Sequence, residues 1–312
     1  MAQSDGVLVA SSPPSVSAST HRRGFWSGDN PWLWLSPALI FLLLYSLGPL
    51  LYNIVLSFAE FSARRKEFSW VGTDNWVKLF SDSRFQNAVS ITLQYVIIAL
   101  IVQVILGILI AVLLDARPFG VGLMQTLIIL PMVTAPTVAG MLFRLLNHSE
   151  FGYVNYLFLR AGVVTRAEPL LGGSGQNALL GVLLVEIWQW TPFVVLIVLA
   201  GLKSIPTEVV EASQVDGANW WQRFWRIKLP LLSTVLTIAI LFRLVDLFRV
   251  FDYVVILTSG GPALRTETLS YYGYVNTFQQ VNFGYGATIG VFVMVLVWVV
   301  AFSYIRIFRV KW

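Results

Sequence analysis

The 312-residue chain contains no cysteine and only two histidines, and 12% of its residues are charged. Without cysteine there is no disulfide framework, no thiolate nucleophile and no thiolate metal site. His21 lies in the N-terminal stretch, which leaves His148 as the one histidine elsewhere. A single histidine at the end of an apolar run reads as an interfacial side chain, and no metal-hydrolase motif is present, so no metal site is expected. The phosphate-cradling pattern G-x-x-x-x-G-K-[ST] is also missing. Gly172-Gly173-Ser174-Gly175 lacks both the lysine and a preceding strand and reads as a flexible loop. Residues 1–30, rich in Ser, Ala and Pro, lack the order of a signal peptide: basic start, long apolar stretch, small-residue cleavage site. They read as a disordered tail. Charge is scarce beside ordinary soluble domains, where it makes up about a quarter of residues. The net charge of +5 does not point to nucleic acid, because the basic residues scatter near the ends of apolar runs. Membrane lipid accounts for them there.

Apolar residues make up 57% of the chain, in runs long enough to cross a bilayer, which takes about 20 residues. The expected fold is an all-α membrane protein occupying residues 31–312. Six spans are readable, at about 33–58, 89–114, 121–146, 178–202, 230–257 and 284–308. Pro37, Gly48 and Pro49 fall inside the first, which membrane helices tolerate when neighbours satisfy the freed carbonyls. The connections at 59–88, 147–177 and 258–283 are long and rich in Gly, aromatic and polar residues. Those at 115–120 and 203–229 differ, the first being short and the second charged.

Two spans carry polar groups at membrane depth. Arg243, Asp246, Arg249 and Asp252 follow one another at three-residue spacing in the fifth. On one helix they would form an oblique stripe. Each such charge at a helix centre costs about 2.5–3.5 kcal/mol on insertion scales. The stripe must therefore face protein or water, either as internal Arg–Asp pairs or as a cavity wall that bonds solute hydroxyls. Span four adds Glu186, Trp188, Gln189, Trp190, Thr191 and Pro192. Aromatic faces beside amide and carboxylate groups suit sugars, and aromatics at a membrane interface are the plainer reading. Gln103 and Arg144 are weaker candidates.

The loop before span five is the most specific feature. Glu208, Glu211, Gln214 and Asp216 give its first half a polar side, with Val209, Ala212 and Val215 at helical spacing on another. Gly217 supplies a break that needs φ > 0. Trp220, Trp221, Phe224 and Trp225 then form an apolar face, with Arg223, Arg226 and Lys228 elsewhere. By itself this reads as an amphipathic segment at a membrane interface. Its spacing is Glu211-Ala212-Ser213, three residues, Gly217, nine residues, Ile227, one residue, Leu229-Pro230. That resembles the EAA loop, E-A-A-x3-G-x9-I-x-L-P, of permease subunits of ABC importers. Six of the seven fixed positions match, and Ser213 replaces an alanine.

The resemblance extends beyond the loop. Trp34-Leu35-Ser36-Pro37-Ala38, Gly48-Pro49-Leu50 and Leu56-Ser57-Phe58 are similar to the first span of sugar-importer permeases. Phe68-Ser69-Trp70-Val71-Gly72-Thr73-Asp74-Asn75-Trp76 looks like their first outer loop. Phe251-Asp252-Tyr253, then Thr258-Ser259-Gly260-Gly261-Pro262 and Thr266-Glu267-Thr268, resemble permeases of the maltose, trehalose and glycerol-phosphate type. The resemblance implies the six-span type I importer fold, in the bacterial inner membrane, with both termini cytoplasmic. Cations divide ten inside to eight outside, a weak bias, and Arg64-Arg65-Lys66 opposes it. It also implies a second permease, two ATPase subunits that bind ATP and magnesium, and an extracytoplasmic substrate-binding protein. No cofactor is implied for this chain. The loop with Glu211, Ala212, Ser213, Asp216, Gly217, Ile227, Leu229 and Pro230 would couple to the ATPase. The substrate path would use Glu186, Trp188, Gln189, Trp190, Arg243, Asp246, Arg249 and Asp252, and Gly260, Gly261 and Pro262 would meet the binding protein. Two other readings stand beside this one: a permease of the same machinery for an amino acid, polyamine or anion, and a membrane enzyme acting on lipid-linked sugars.

Overall fold

The computed structural model describes residues 31–62, 67–116 and 118–308. The expected tail at 1–30 and the cations Arg64, Arg65, Lys66 and Arg117 lie outside them. The described residues divide into two units at Leu51–Tyr52. Four helices are long and apolar enough to cross a membrane: α1 (Trp34–Leu56), α3 (Ser83–Asp115), α7 (Ala178–Lys203) and α13 (Phe283–Phe308). Two bent pairs qualify if each counts as one span: α4 (Val121–Val133) with α5 (Pro136–Leu146), and α9 (Trp220–Leu231) with α10 (Ser233–Leu247).

Short elements fill the connections. β1 (Ala59–Ser62) and β2 (Glu67–Trp70) pair antiparallel, with Ala59 opposite Trp70. Helix α2 covers Asp74–Ser81 and α6 covers Tyr153–Arg160. Helix α8 is Thr207–Val215, α11 is Asp252–Leu257, and α12 is Leu269–Tyr274, continued by a π-helical turn Val275–Gln279. A π-helical turn also sits in α1 at Leu43–Leu47, just ahead of Pro49. Proline removes a helical donor and crowds the preceding turn, and a wider turn relieves both.

Three expected boundaries are corrected. Span two begins at Ser83 rather than 89, because Asp82 caps it by accepting the Arg84 N–H at 2.8 Å. The third span is broken by 99° between α4 and α5. Pro136 lacks an N–H and forces Ala135 into extended backbone, at φ −61° and ψ 135°. The fifth span does not run to 257: α10 ends at Leu247 and α11 starts at Asp252. Hydroxyls of the next segment satisfy the freed carbonyls, with Thr268 donating to Val250 at 3.2 Å and Ser270 to Phe248 at 3.3 Å. A break at membrane depth is tolerated when its backbone groups find such partners.

The core lies where α3, α7 and α10 meet, with α5, α11 and α12 packed on it. Tyr95, Ala99, Phe143, Val182, Val185, Leu247 and Val254 form its centre. A second cluster, with Ala111, Leu114, Val194, Val198, Leu202, Leu232 and Leu236, fills the Asp115 end of α3. Close approach of α3 to α7 depends on Gly107, where a Cβ would come within 2.5 Å of Val194 Cγ1. Small residues permit such contacts between membrane helices.

Candidate functional site

A polar network is buried between α3, α7 and α10. The Arg243 guanidinium bonds Gln103 Oε1 at 3.0 Å, Asp246 Oδ2 at 2.5 Å and Glu186 Oε1. Glu186 also accepts from the Tyr95 hydroxyl at 2.7 Å and from Gln103 Nε2 at 3.2 Å. Arg243 and Glu186 are 2% and 3% exposed, and Gln103 and Tyr95 are fully buried. The guanidinium carbon lies 4.9 Å from the centre of the Trp190 ring. Trp190 begins a second chain: its Nε1–H donates to Tyr253 Oη at 3.1 Å, and the Tyr253 hydroxyl donates to Gln189 Oε1 at 2.8 Å. Gln189 Nε2 then donates to the Thr134 carbonyl at 2.6 Å. That carbonyl belongs to the break between α4 and α5, so the second chain satisfies the broken span.

The stripe expected on one helix is therefore divided. Arg243 is internal and fully partnered, while half of the Asp246 side chain is exposed. Arg249 sits in the break after α10, and Asp252 is the first residue of α11; both are exposed. In span four, Glu186 and Gln189 are buried, Trp190 is half-buried and Trp188 is exposed beside Phe143. Gln103, a weaker candidate, proves central. Tyr95 and Tyr253 were not singled out as site residues. Tyr95 stands in an apolar run like any core aromatic, and no local signal marks it.

At the Asp115 end of α3, α8 and α9 form a helix pair. Ala218 N–H bonds the Ser213 carbonyl and Gly217 N–H bonds the Gln214 carbonyl, each at 3.0 Å. This is a Schellman ending, with Gly217 in the left-handed region at φ +77°. Asn219 and Gln222 then form a capping box that starts α9. Glu211, Ala212, Asp216, Gly217 and Pro230 are exposed. Ser213 is buried, its hydroxyl bonded to the Val210 carbonyl at 2.6 Å. Ile227 is half-buried, and Leu229 packs on the cluster of Leu232 and Leu236. Trp220 stacks on Phe224 and Trp221 lies against Trp225.

At the Ser83 end, the 258–268 segment is tied down. Arg84 holds Glu267 through two bonds of 2.8 and 2.7 Å, and Leu269 N–H bonds Thr92 Oγ1 at 2.8 Å. Gly260 has φ +79°, and a Cβ there would meet the Tyr271 ring at 2.6 Å. Gly261 and Pro262 line a cavity of about 450 Å³ with Arg144 and His148. The His148 ring stacks on Phe151 and accepts the Glu150 N–H at 3.3 Å. Nearby, Asp82 takes the Tyr272 hydroxyl at 2.5 Å and the Tyr285 hydroxyl at 3.0 Å. Burial by itself would raise the Asp82 carboxyl; the bonds from Tyr272, the Arg84 N–H and Tyr285 outweigh it and hold it below its ordinary value. Among the described residues, no group of three His, Asp or Glu side chains comes together to hold a metal ion.

Apolar helices long enough to cross a membrane thus surround a buried charged network, with a helix pair exposed at one end. Residues 103–310 match the family model for binding-protein-dependent transport system inner membrane components, and the chain belongs to that family. It is 36% identical to y4oQ, a probable ABC transporter permease protein of Sinorhizobium fredii, over 95% of this chain and 94% of that one. It is 28% identical to MalF, a trehalose/maltose transport system permease of Thermococcus litoralis, over 90% and 94%. A permease chain in the crystal structure of a bacterial ABC transporter for the acidic polysaccharide alginate shares the fold, with a TM-score of 0.75 and 22% identity. That match covers 89% of this chain and 94% of the other. The protein is an ABC-importer permease, an inner-membrane component that does no covalent chemistry itself.

Proposed function

We propose that this permease imports a sugar or sugar derivative, and that residues 203–229 couple ATPase motion to alternating access. The observation that carries the coupling role is the helix pair α8–α9. Glu211, Ala212, Asp216 and Gly217 are exposed on it, while Ser213, Phe224 and Leu229 root it in the body of the chain. A partner that grips the exposed residues displaces a segment continuous with α10.

The complex contains a second permease, two ATPase subunits that bind ATP and magnesium, and a binding protein that delivers solute. Each bent pair serves as one span, giving six, with both termini cytoplasmic. The Asp115 end of α3 then faces the ATPase, and the 258–268 segment, with Gly260, Gly261 and Pro262, faces the binding protein. Carbohydrate is supported by the trehalose/maltose relative and by the aromatic and polar groups of α7. The exposed Trp188, Asp246, Arg249 and Asp252 form the solute-facing set, supported from behind by Glu186, Gln189, Trp190 and Arg243.

The coupling test uses the transporter reconstituted with its ATPase, partner permease and binding protein. Gly217→Val places a β-branched residue at φ +77° and strains the break. Glu211→Ala removes an exposed carboxylate from the docking face. Both variants should lose most uptake and most ligand-stimulated ATP hydrolysis, and wild-type values in both would overturn the coupling role. For the solute, a thermal-shift screen of the binding protein should find stabilisation by a saccharide. Stabilisation by amino acids or polyamines alone would overturn the carbohydrate reading.

A further inference from the structure

Among the described residues, the ATPase-side half of the molecule contains one ion pair that neither the buried network nor the coupling face uses. Lys228 Nζ lies 2.7 Å from Asp115 Oδ2, and the two side chains are 24% and 22% exposed. Lys228 closes the π-helical turn of α9, and Asp115 is the last residue of α3. Two cavities, of about 600 and 230 Å³, are both lined by Asp115, Val210, Gln214 and Lys228. The end of α3 is therefore not packed solidly against α8, and the ion pair bridges it to α9. An acid at a helix C-terminus opposes the helix dipole. Asp115 thus does nothing for α3 in isolation, and its partner gives it a purpose.

Helix α9 runs into α10 across a 65° bend that is spanned by backbone hydrogen bonds, Leu232 N–H to the Lys228 carbonyl at 2.9 Å and Leu236 N–H to the Leu232 carbonyl at 2.8 Å. A displacement of α9 reaches α10, and with it Arg243, through the chain. It reaches α3, which carries Tyr95 and Gln103, through side chains alone. If α10 moved without α3, Arg243 would be drawn off Gln103, and a buried charge would lose a partner. We infer that the Lys228–Asp115 pair is a strut that makes α3 and α10 move together when the coupling loop is displaced. It keeps Arg243 seated on Gln103 and Glu186 throughout the stroke. Lys228 and Asp115 are positioning residues, and their role rests on the coupling function proposed above.

The test uses the full transporter assembled with cysteine-free versions of its partner subunits; this chain has no native cysteine, so spin labels can be placed at chosen sites in it. Labels at Ile101 on α3 and Phe242 on α10, exposed by 53% and 63%, report the spacing of the two helices. In the wild-type background that spacing should be the same with and without ATP and vanadate. In D115N and in K228Q it should shift by about 2 Å or more on trapping, the scale of helix shifts in switching proteins. The charge swap D115K/K228D should restore the wild-type result. A spacing that changes in wild type, stays constant in both single variants, or is not restored by the swap overturns the strut. If one single variant does not assemble, the other is read in its place. Failure of both to assemble overturns the proposal, since the pair would then hold the fold rather than transmit motion. A second label pair, at Val215 and Ser174, tests the coupling reading separately. If its distance is unaltered by ATP and vanadate in wild type, that reading fails. If it changes while the single variants keep the α3–α10 spacing, the strut alone fails.

Discussion

Arg243 has no recourse to water: it sits inside the bundle, and its charge is met by Glu186, Asp246 and the Gln103 oxygen. Arg243→Ala leaves Glu186 buried with its cation removed, a change that costs about 3–5 kcal/mol in comparable buried pairs. The expected outcome is a sharp loss of assembled transporter on size-exclusion chromatography. Arg243→Lys should rescue little, because an ammonium cannot reproduce the planar fork that serves three acceptors. Asp246, Arg249 and Asp252 are different, since their side chains reach the surface of the chain. Alanine at Arg249 or Asp252 should leave assembly near wild type, Asp246→Ala should reduce it because Arg243 loses a partner, and at least one of the three should slow initial uptake per assembled complex. Normal uptake in all three would remove them from the solute path. The sequence supplied these charges and the need to partner them. It could not divide them into internal and open groups, because that depended on where α10 stops.

Helix ends decide much of the architecture. Asp82 begins α3 and gathers two tyrosine hydroxyls from α12 and α13 as well as the Arg84 N–H. Its carboxyl is held below its ordinary value, so the folded state favours the charged form. The stabilisation is fully present above the unfolded carboxylate pKa of about 3.9 and is lost as pH falls through the lowered folded value. Melting temperature in detergent should therefore fall as the solution is acidified below about pH 4. Asp82→Asn should keep the cap but flatten that part of the profile, whereas Asp82→Ala should also lower stability at neutral pH by about 1 kcal/mol, as for other lost caps. An unaltered acid limb in Asp82→Asn would show that other carboxylates carry it. The cap was legible as a residue type, but its tyrosine partners lie about 190 and 203 positions away along the chain. The break at Pro136 was also written in the sequence, in the missing N–H, although the apolar run from 121 to 146 masked it.

For the molecule in its membrane, orientation is the property on which the mechanism depends. The cysteine-free background makes it measurable with one substitution at a time. Ser204, just after α7, and Ser174, in the 161–177 loop, are both exposed. A cysteine at Ser174 should react with an impermeant maleimide added to intact cells. A cysteine at Ser204 should react after the membrane is opened. The reverse pattern would invert the topology and place α8–α9 away from any cytoplasmic ATPase. The cation count, ten against eight, was too even to decide this, and Arg64-Arg65-Lys66 pulls against the proposed orientation.

By itself the sequence determined that the chain is a membrane protein of apolar helices, that it carries neither cysteine nor the phosphate-cradling pattern G-x-x-x-x-G-K-[ST], and that Gly217 ends a helix. These properties are local: run length, residue absence, and a single backbone position that needs φ > 0. It also carried the spacing by which the family is recognised. Only the tertiary structure decided that Arg243 is closed in by Gln103, Tyr95 and Glu186, that Gln189 satisfies the carbonyl released at Thr134, and that Lys228 reaches Asp115. The physical reason is common to all three. A polar group shielded from bulk water, whether inside the bundle like Arg243 or at a helix end like Asp115, must find a partner, but the partner is chosen by which helices lie side by side. In this fold they come from 55 to 140 residues away.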